Sequence, residues 1–375
     1  MKRCFTMLVL AVFVVSMVFM GIGCKAKEAA EEVAPATEEV VEEVTAEEVE
    51  PAEEEAGEEA KKLTYGHITP GPDTWYKRVV EGFEYGASLD DVDTVIVNSD
   101  YDVEKELQNI EFLVNSQVDG ISVFSFNENG ARLAAKAGEE ADIPVVGVDT
   151  VGSVQEAGQE IVAEVDFDWT EMGEITAMWM AENHPGKNFV HITGNFTSVP
   201  MIKINEAILK KSEELGKNKR VDIREGKFSP ELAVSIAEDL IQSGLDFEIF
   251  YIADEDMAAA VIRMLENKGL LNNPYIVASE NGSPAGLELI KKGKLAFTIS
   301  SSPGWEGYIN YLALHNYVIG ASDKINQHIM LPTIPVTQEN IDDPFAVVPW
   351  EVTPDVWEKL TEKYFPELLE YRKEK

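Results

Sequence analysis

Polar and aromatic residues recur in the short segments that directly follow apolar, strand-like runs of the sequence. Carboxylates and hydroxyl groups form hydrogen bonds, and aromatic rings offer flat apolar faces for stacking. In a parallel sheet, ligands bind beyond the carboxyl ends of the strands, so a functional site is expected in these segments. The segments begin at Thr69, Phe124, Asp149, Phe167, Gly194, Asp254, Glu280 and Ser300.

The sequence lacks the usual motifs of metal-dependent and nucleophilic catalysis. The five histidines show no H-E-x-x-H motif or paired spacing, so no zinc site is expected. The sequence has no Walker A motif, no G-x-S-x-G motif and no G-x-G-x-x-G motif after a strand, so nucleotide binding and serine hydrolysis are not indicated. Both cysteines, Cys4 and Cys24, fall in the first 24 residues, which excludes a disulfide framework or a thiol nucleophile in the rest of the chain.

From Leu63 onward, strand-like runs alternate with segments of helical spacing. Helix-start signals support this pattern, for example the capping box at 168–171 and Ser229 followed by Pro230. Strands that alternate with helices indicate βαβ units in parallel sheets. A chain of 375 residues with nine such runs predicts two doubly wound α/β domains. The predicted strands are 63–69, 94–98, 120–125, 143–148, 161–165, 188–193, 248–253, 275–278 and 295–300.

The chain is strongly acidic, with 68 Asp and Glu residues against 31 Lys and Arg residues and a formal net charge of −37. Residues 25–62 carry fifteen Glu and four Lys, so they hold −11 of this charge. Because the first 24 residues carry +2, residues 63–375 still carry −28. A surface this acidic repels phosphate backbones and anionic lipids, so neither nucleic-acid binding nor polybasic membrane docking is expected.

Residues 1–24 have the layout of an export signal, with a basic start, an apolar run and small residues before Cys24. Gly23-Cys24 resembles the lipobox of bacterial lipoproteins, in which Cys24 is acylated. The alternative is an uncleaved transmembrane anchor, because the apolar stretch is long enough to span a bilayer. In both cases the body lies outside the cytoplasmic membrane. Residues 25–62 are predicted to form an extended, self-repelling linker.

Three segments carry a family resemblance in their residues and their order: 143–149, with sequence IPVVGVD; 252–258, with sequence IADEDMA; and 292–300, with sequence KGKLAFTIS. They resemble the type I periplasmic substrate-binding proteins of sugar ABC transporters. The resemblance implies two Rossmann-like lobes joined by a three-strand hinge. The first lobe would comprise 63–166 and 302–328, and the second would comprise 167–301 and 329–375, including a C-terminal extension.

The same resemblance implies a set of ligand-binding residues. Aromatic residues would stack on a sugar ring, and carboxylates would accept hydrogen bonds from its hydroxyl groups. The family often has arginines near this site, whereas this chain has Thr150 after Asp149 and no arginine around Lys203. This weakens ribose as the ligand and leaves open a polyol, another sugar, or a ligand with positive charge or a bound cation. The implied residues are Thr69, Asp73, Trp75, Tyr76, Ser125, Asp149, Phe167, Asp254, Glu280, Ser301 and Trp305.

Several of these residues also have a purely structural interpretation. Asp149 and Asp254 follow strands and are therefore candidates for helix caps. Trp75 and Trp305 lie at helical spacing with other apolar residues and are candidates for the core. Phe167 and Ser301 are hinge residues, which need contact only their neighbours, and Glu280 is a candidate for a solvent-facing side chain.

The resemblance therefore implies a tethered, monomeric receptor outside the cytoplasmic membrane. It would capture a sugar or polyol by hinge closure and deliver it to the permease of an ABC importer. No cofactor is expected, because ATP acts in a separate subunit. The first alternative is a sensor whose closed form docks on a chemoreceptor or kinase ectodomain. The second is a glycoside-acting enzyme that uses carboxylates on opposite sides of the cleft.

Overall fold

The structure is a computed structural model and describes residues 62–343 and 345–373. The predicted export signal, the predicted lipid-attachment residue Cys24 and the predicted linker up to residue 61 lie outside the described residues. Among the described helices, none combines the length and the apolar character needed to cross a membrane.

Strands and helices alternate along most of the described chain. The strands are β1 (Thr64–Thr69), β2 (Asp93–Asn98), β3 (Gly120–Phe124), β4 (Val145–Val148), β5 (Ala163–Phe167), β6 (Phe189–Thr193), β7 (Arg220–Glu225), β8 (Ile249–Ile252), β9 (Ile276–Ser279), β10 (Thr298–Ser300), β11 (Gln327–Leu331) and β12 (Ile334–Val336). The helices are α1 (Thr74–Leu89), α2 (Val103–Asn115), α3 (Glu128–Ala141), α4 (Ser153–Glu156), α5 (Trp169–Asn183), α6 (Val199–Leu215), α7 (Pro230–Gln242), α8 (Glu255–Lys268), α9 (Pro284–Lys291), α10 (Pro303–Val318), α11 (Pro354–Tyr364) and a 3₁₀ helix (Pro366–Lys373).

The strands form two parallel sheets, each the centre of one lobe. The first sheet has the order β11-β5-β4-β3-β1-β2, and the second has the order β7-β6-β8-β9. All neighbouring strands within these two sheets run parallel, which confirms the predicted doubly wound α/β fold. Strands β10 and β12 form a separate antiparallel pair. A bridge from Ala278 to Phe297 connects this pair to the edge of the second sheet.

The chain passes between the lobes three times near this strand pair. It leaves the first sheet after β5, returns after β10 into α10, and leaves again between β11 and β12. The third passage lies beside the lobe boundary that the resemblance implies after residue 328: β11 pairs with β5 as far as Leu331, opposite Phe167, so residues 329–331 continue the first sheet.

Two helices of the first lobe, α1 and α10, pack at unusually short range because glycines form their contact. A Cβ atom on Gly82 would lie 1.8 Å from the carbonyl oxygen of Gly304, and one on Gly307 would lie 2.0 Å from that of Val79. No larger residue fits at either position without moving the helices apart. This contact brings the first turn of α10 close to α1, which begins in the loop after β1.

The C-terminal extension packs on the first lobe, whereas the sequence interpretation assigned it to the second. Trp357 of α11 is fully buried and stacks on Tyr308 of α10, with ring centroids 6.0 Å apart. Arg372 donates hydrogen bonds to Asp90 and to the hydroxyl group of Tyr308. The aromatic side chains on this side of α1 and α10 would be exposed to water without an apolar partner. Helix α11 supplies that partner.

Candidate functional site

Two predicted aromatic residues lie in the first turn of α1, at the carboxyl end of β1. The ring of Trp75 packs edge-on against Phe167, with centroids 6.1 Å apart, and Tyr76 packs edge-on against Phe124 at 4.9 Å. Trp75 and Tyr76 are partly exposed, whereas Phe167 is buried at the end of β5. The structure therefore brings Trp75 and Phe167 together, as expected for residues that line one site.

Three polar residues accompany these rings. Asp73 accepts a hydrogen bond from the hydroxyl group of Tyr101. Thr69 is buried at the end of β1, and its hydroxyl group has no hydrogen-bond partner among the described residues. Ser125 forms hydrogen bonds with the backbone carbonyl and the backbone amide of Asn127, so its hydroxyl group shapes its own loop. The Thr69 hydroxyl group thus remains unpartnered within the described residues, while Ser125 already has partners.

Asp149 follows β4 with a left-handed backbone, at φ +51°. Its Oδ1 atom is buried and accepts no hydrogen bond from any described residue. Burial, together with the nearby charge of Asp166, raises the pKa of Asp149 well above its usual range. The next helix has Gly152 at its N-cap, so helix capping does not occupy Asp149. Its Oδ1 atom is thus an unpartnered buried acceptor, as the prediction of a ligand-binding residue requires.

A second carboxyl group, which sequence reasoning missed, lies beside Asp149. Glu306 is in the first turn of α10 and is fully buried, and neither of its carboxyl oxygens accepts a hydrogen bond from a described donor. Burial and the charges of Asp149 and Asp166 raise the pKa of Glu306 well above its usual range. Two buried carboxylates cannot both ionise at low cost, so the state in which at least one of the two carboxyl groups is protonated is favoured.

The predicted site residues of the second lobe form more hydrogen bonds within the protein than Asp149 does. Oδ1 of Asp254 accepts a hydrogen bond from the amide of Met257 at 2.8 Å and caps α8. Its Oδ2 atom is buried without a hydrogen-bond partner in the described part of the chain, and burial raises the pKa of Asp254 to about 6. Asp254 therefore caps a helix with one oxygen and leaves the other for a ligand.

Glu280 is fully buried and accepts a hydrogen bond from the hydroxyl group of Tyr251, a core residue of β8. Burial raises the pKa of Glu280 well above its usual range. The expectation of a solvent-facing side chain is wrong, and one carboxyl oxygen is committed to the core. The next residue, Asn281, is partly exposed, and its carbonyl oxygen accepts from both the amide and the hydroxyl group of Ser301, each at 3.2 Å.

Trp305 was predicted as a ligand contact, and the structure contradicts this. Its side chain is 1% exposed, and its indole nitrogen donates a hydrogen bond to Thr361 Oγ1 at 3.0 Å. Its ring packs on Phe365, with centroids 5.9 Å apart. The C-terminal extension covers Trp305 completely, so it belongs to the core between α10 and α11.

A different tryptophan from the same extension lies at the site. The ring of Trp350 packs edge-on against Trp75, with centroids 5.3 Å apart and planes at 86°. Its indole nitrogen donates hydrogen bonds to the carbonyl oxygens of Ser301 at 2.7 Å and Asn281 at 3.2 Å. Trp350 thus connects an aromatic residue of the first lobe to the loop after β9. The sequence around Trp350, which follows a proline, has no periodic pattern that would have indicated this role.

A groove of about 240 Å³ opens beside the hinge and shares Phe167 with the predicted site. It is lined by residues of both lobes, including Asp166, Trp169, Lys203 and His328. Nε2 of His328 lies 2.6 Å from Oδ2 of Asp166, and this hydrogen bond raises the pKa of His328. The groove contains no other residue of the predicted set, so it is distinct from the group formed around Trp75 and Asp149.

No metal site is indicated by the described residues. No group of three or more His, Cys, Asp or Glu side chains within 62–343 and 345–373 is arranged to hold a metal ion. His67 is fully buried and forms a hydrogen bond with Ser122, and burial lowers its pKa to about 3. What the site offers is hydrogen bonding and aromatic stacking.

Comparisons with known proteins agree with the fold. Residues 67–322 match a family described as "Periplasmic binding protein domain". The ribose import binding protein of Bacillus subtilis (strain 168) is 21% identical over 293 residues, which cover 74% of this chain and 88% of that protein.

Solved structures show the same similarity. A glucose-galactose binding protein from Geobacillus stearothermophilus has a TM-score of 0.66 at 18% identity and covers 75% of this chain and 99% of its own. An ABC transporter solute binding protein from Bacillus halodurans C-125 with bound myo-inositol has a TM-score of 0.67 at 21% identity, with 75% and 96% covered. At these identities, the structural similarity concerns the fold.

Proposed function

The chain belongs to the periplasmic binding protein family, and from this premise we propose that it is an extracytoplasmic receptor for a sugar or polyol. In this function it delivers its ligand to the permease of an ABC importer. The observation that carries the proposal is that an aromatic ring and an unpartnered buried carboxyl oxygen lie at the same edge of the first sheet: Trp75 follows β1, and Asp149 follows β4, with β3 between the two strands. A sugar or polyol presents an apolar C–H face and several hydroxyl donors, which match these two groups.

The proposed mechanism is closure of the two lobes around the ligand. Asp149 and Thr69 of the first lobe and the free oxygen of Asp254 in the second supply hydrogen-bonding atoms that lack partners among the described residues. A ligand that satisfies groups on both lobes binds the closed form better than the open form and so shifts the equilibrium towards closure. The permease then recognises the closed form. The receptor binds as a monomer and releases its ligand chemically unchanged.

A thermal-shift screen followed by calorimetry tests this proposal. The panel contains D-ribose, D-galactose, L-arabinose, D-allose and myo-inositol, with glycine and sodium acetate as non-sugar controls. A ligand that binds only the native state raises the melting temperature, and about 2.7 kcal/mol of stabilisation is expected at a concentration 100 times the Kd. The bound compound, recovered and identified by mass spectrometry, should be unchanged. Turnover of a glycoside by the protein would favour an enzyme instead.

We further propose that Cys24 is acylated and tethers the receptor to the membrane through residues 25–62. Support comes from the export-signal layout of residues 1–24 and from the acidic composition of the segment that follows. Expression of the Cys24→Ser variant in a bacterial host should leave the protein in the soluble extracytoplasmic fraction. The unmodified chain should remain with the membranes and release a diacylglyceryl-modified N-terminal peptide. A membrane-bound Cys24→Ser protein would instead favour an uncleaved anchor.

A further inference from the structure

The C-terminal segment, residues 337–343 and 345–373, contacts both lobes; we call it the C-terminal strap. It begins on the second lobe, where β12 pairs with β10 and Gln338 donates a hydrogen bond to the carbonyl oxygen of Lys291. It ends on the first lobe, where Arg372 binds Asp90. The strap is therefore a fourth passage of the chain between the lobes. It also lies beyond the range that matches the family, which ends at residue 322.

The middle of the strap is held against the hinge by hydrogen bonds. The amide of Val348 donates to Ser300 Oγ at 2.9 Å. The carbonyl oxygen of Pro349 accepts hydrogen bonds from Ser302 Oγ at 2.6 Å and from Trp357 Nε1 at 3.1 Å. A Cβ atom on Gly304 would lie 2.3 Å from the carbonyl oxygen of Trp350, so the strap and the start of α10 are in close contact. Residues 348–350 thus follow the hinge segment 300–304 closely.

Trp350 then connects this hinge contact to the candidate site. It is 8% exposed, and its two hydrogen bonds go to Ser301 in the hinge and Asn281 in the second lobe, while its ring touches Trp75 in the first. A rotation of the second lobe away from the first must stretch the hydrogen bond to Asn281 or separate the two indole rings. An indole that forms a hydrogen bond with one lobe and packs edge-on against a ring of the other therefore resists opening.

We infer that Trp350 is a positioning residue of the ligand site, and that the C-terminal strap couples the hinge to the orientation of Trp75. Trp350 sets the angle at which the Trp75 ring faces the site, and it does so only when Asn281 and Ser301 are in the arrangement seen here. Lobe position and ring orientation thus change together. The effect of Trp350 on ligand affinity rests on the proposed function, whereas its effect on the hinge does not.

Hydrogen–deuterium exchange on the full chain without ligand tests the hinge part. In the Trp350→Ala variant, peptides that cover 280–284 and 298–304 should exchange at least tenfold faster than in the unmodified protein. Trp350→Phe retains a ring against Trp75 but loses the indole hydrogen bonds, so its exchange rates should fall between the two. Val352→Ala, on an exposed residue of the same strap, is the control and should leave both peptides unchanged. Unchanged exchange in Trp350→Ala, or equal acceleration in Val352→Ala, overturns the inference.

Calorimetry with each panel sugar that binds the unmodified protein tests the positioning part. Trp350→Ala should weaken binding at least tenfold, Trp350→Phe should restore part of the affinity, and Val352→Ala should have no effect. Equal affinity in Trp350→Ala and the unmodified protein overturns the positioning role. If no sugar binds the unmodified protein, the proposed function fails and the exchange experiment alone decides whether the strap controls the hinge.

Discussion

The two halves of the candidate site differ in how many of their polar groups are already occupied by the protein. In the first lobe, Asp149 caps no helix at α4, and its buried Oδ1 has no described partner. In the second lobe, Asp254 caps α8 and Glu280 binds Tyr251. Asp254 and Glu280 each keep one further buried oxygen without a described partner, so we propose that the first lobe would carry most of the ligand recognition and that the second lobe would complete the site on closure.

The largest expected effect comes from the aromatic residue of the first lobe. Trp75→Ala should weaken binding of the sugar found in the panel roughly 100-fold, about 2.7 kcal/mol, because it removes the stacking face and the contact with Trp350. Calorimetry provides the measurement. Phe112→Ala, on an exposed aromatic residue of α2, is the control and should bind normally. A loss below threefold in Trp75→Ala would mean that the first lobe does not dominate recognition.

Asp149→Ala should have the next largest effect, a loss of at least about 1.5 kcal/mol or roughly tenfold in affinity. The variant removes one of two buried carboxyl groups that repel each other when both are ionised, so its melting temperature at neutral pH should not fall. Glu140→Gln, on an exposed helix position of the same lobe, is the matched control. Normal affinity in Asp149→Ala would remove this residue from the site.

The paired carboxyl groups of Asp149 and Glu306 predict a dependence of stability on pH. Burial raises both pKa values on folding, so the native state binds more protons than the unfolded state and the free energy of unfolding falls as pH rises above about 4.3, the usual pKa of glutamate. Glu306→Gln should therefore be more stable than the unmodified protein at pH 8, by about 1–3 kcal/mol. This difference should shrink towards pH 5.

Urea unfolding at pH 5, 6.5 and 8 measures this effect. The net charge of the chain also lowers stability as pH rises, so Glu140→Gln again serves as the control for the loss of one negative charge. If the stability difference between Glu306→Gln and the unmodified protein were the same at all three pH values, a raised pKa of the Asp149 and Glu306 carboxyl groups in the native state would be excluded.

The smallest effect is expected in the second lobe. Asp254→Asn retains a side-chain oxygen that caps α8 and replaces the other carboxyl oxygen with an amide group, which donates hydrogen bonds instead of accepting them. Because the second lobe is proposed to contribute less to recognition, affinity should fall by no more than about threefold, which corresponds to about 0.7 kcal/mol. Competition calorimetry resolves a difference of this size. A loss of affinity equal to that of Asp149→Ala would contradict the proposal that the first lobe contributes more to ligand binding than the second.

Sequence reasoning succeeded where the signal is local. Alternating apolar runs and helical spacing predicted the two doubly wound sheets, and the residues after each strand predicted where polar groups would gather. It missed β7, because the charged residues Arg220, Asp222 and Arg224 alternate along an edge strand and dilute the apolar pattern.

The roles of three residues depended on contacts between distant parts of the chain. Trp305 and Trp350 are both tryptophans near a proline, and nothing in their local sequence says that α11 buries the first and leaves the second beside Trp75. Glu306 follows Trp305 in an apolar helix, and its pairing with Asp149 arises because α10 packs against β4, where Asn310 donates a hydrogen bond to the carbonyl oxygen of Gly147.

The sequence by itself determined the α/β class, the acidity of the chain and the segments from which a site is built, because periodicity, charge and strand ends are properties of neighbouring residues. The tertiary structure alone decided which carboxyl groups remain free, which tryptophan reaches the site and how the C-terminal strap joins the lobes. These depend on which surfaces are buried against each other, and burial is set by the packing of elements that are distant in sequence.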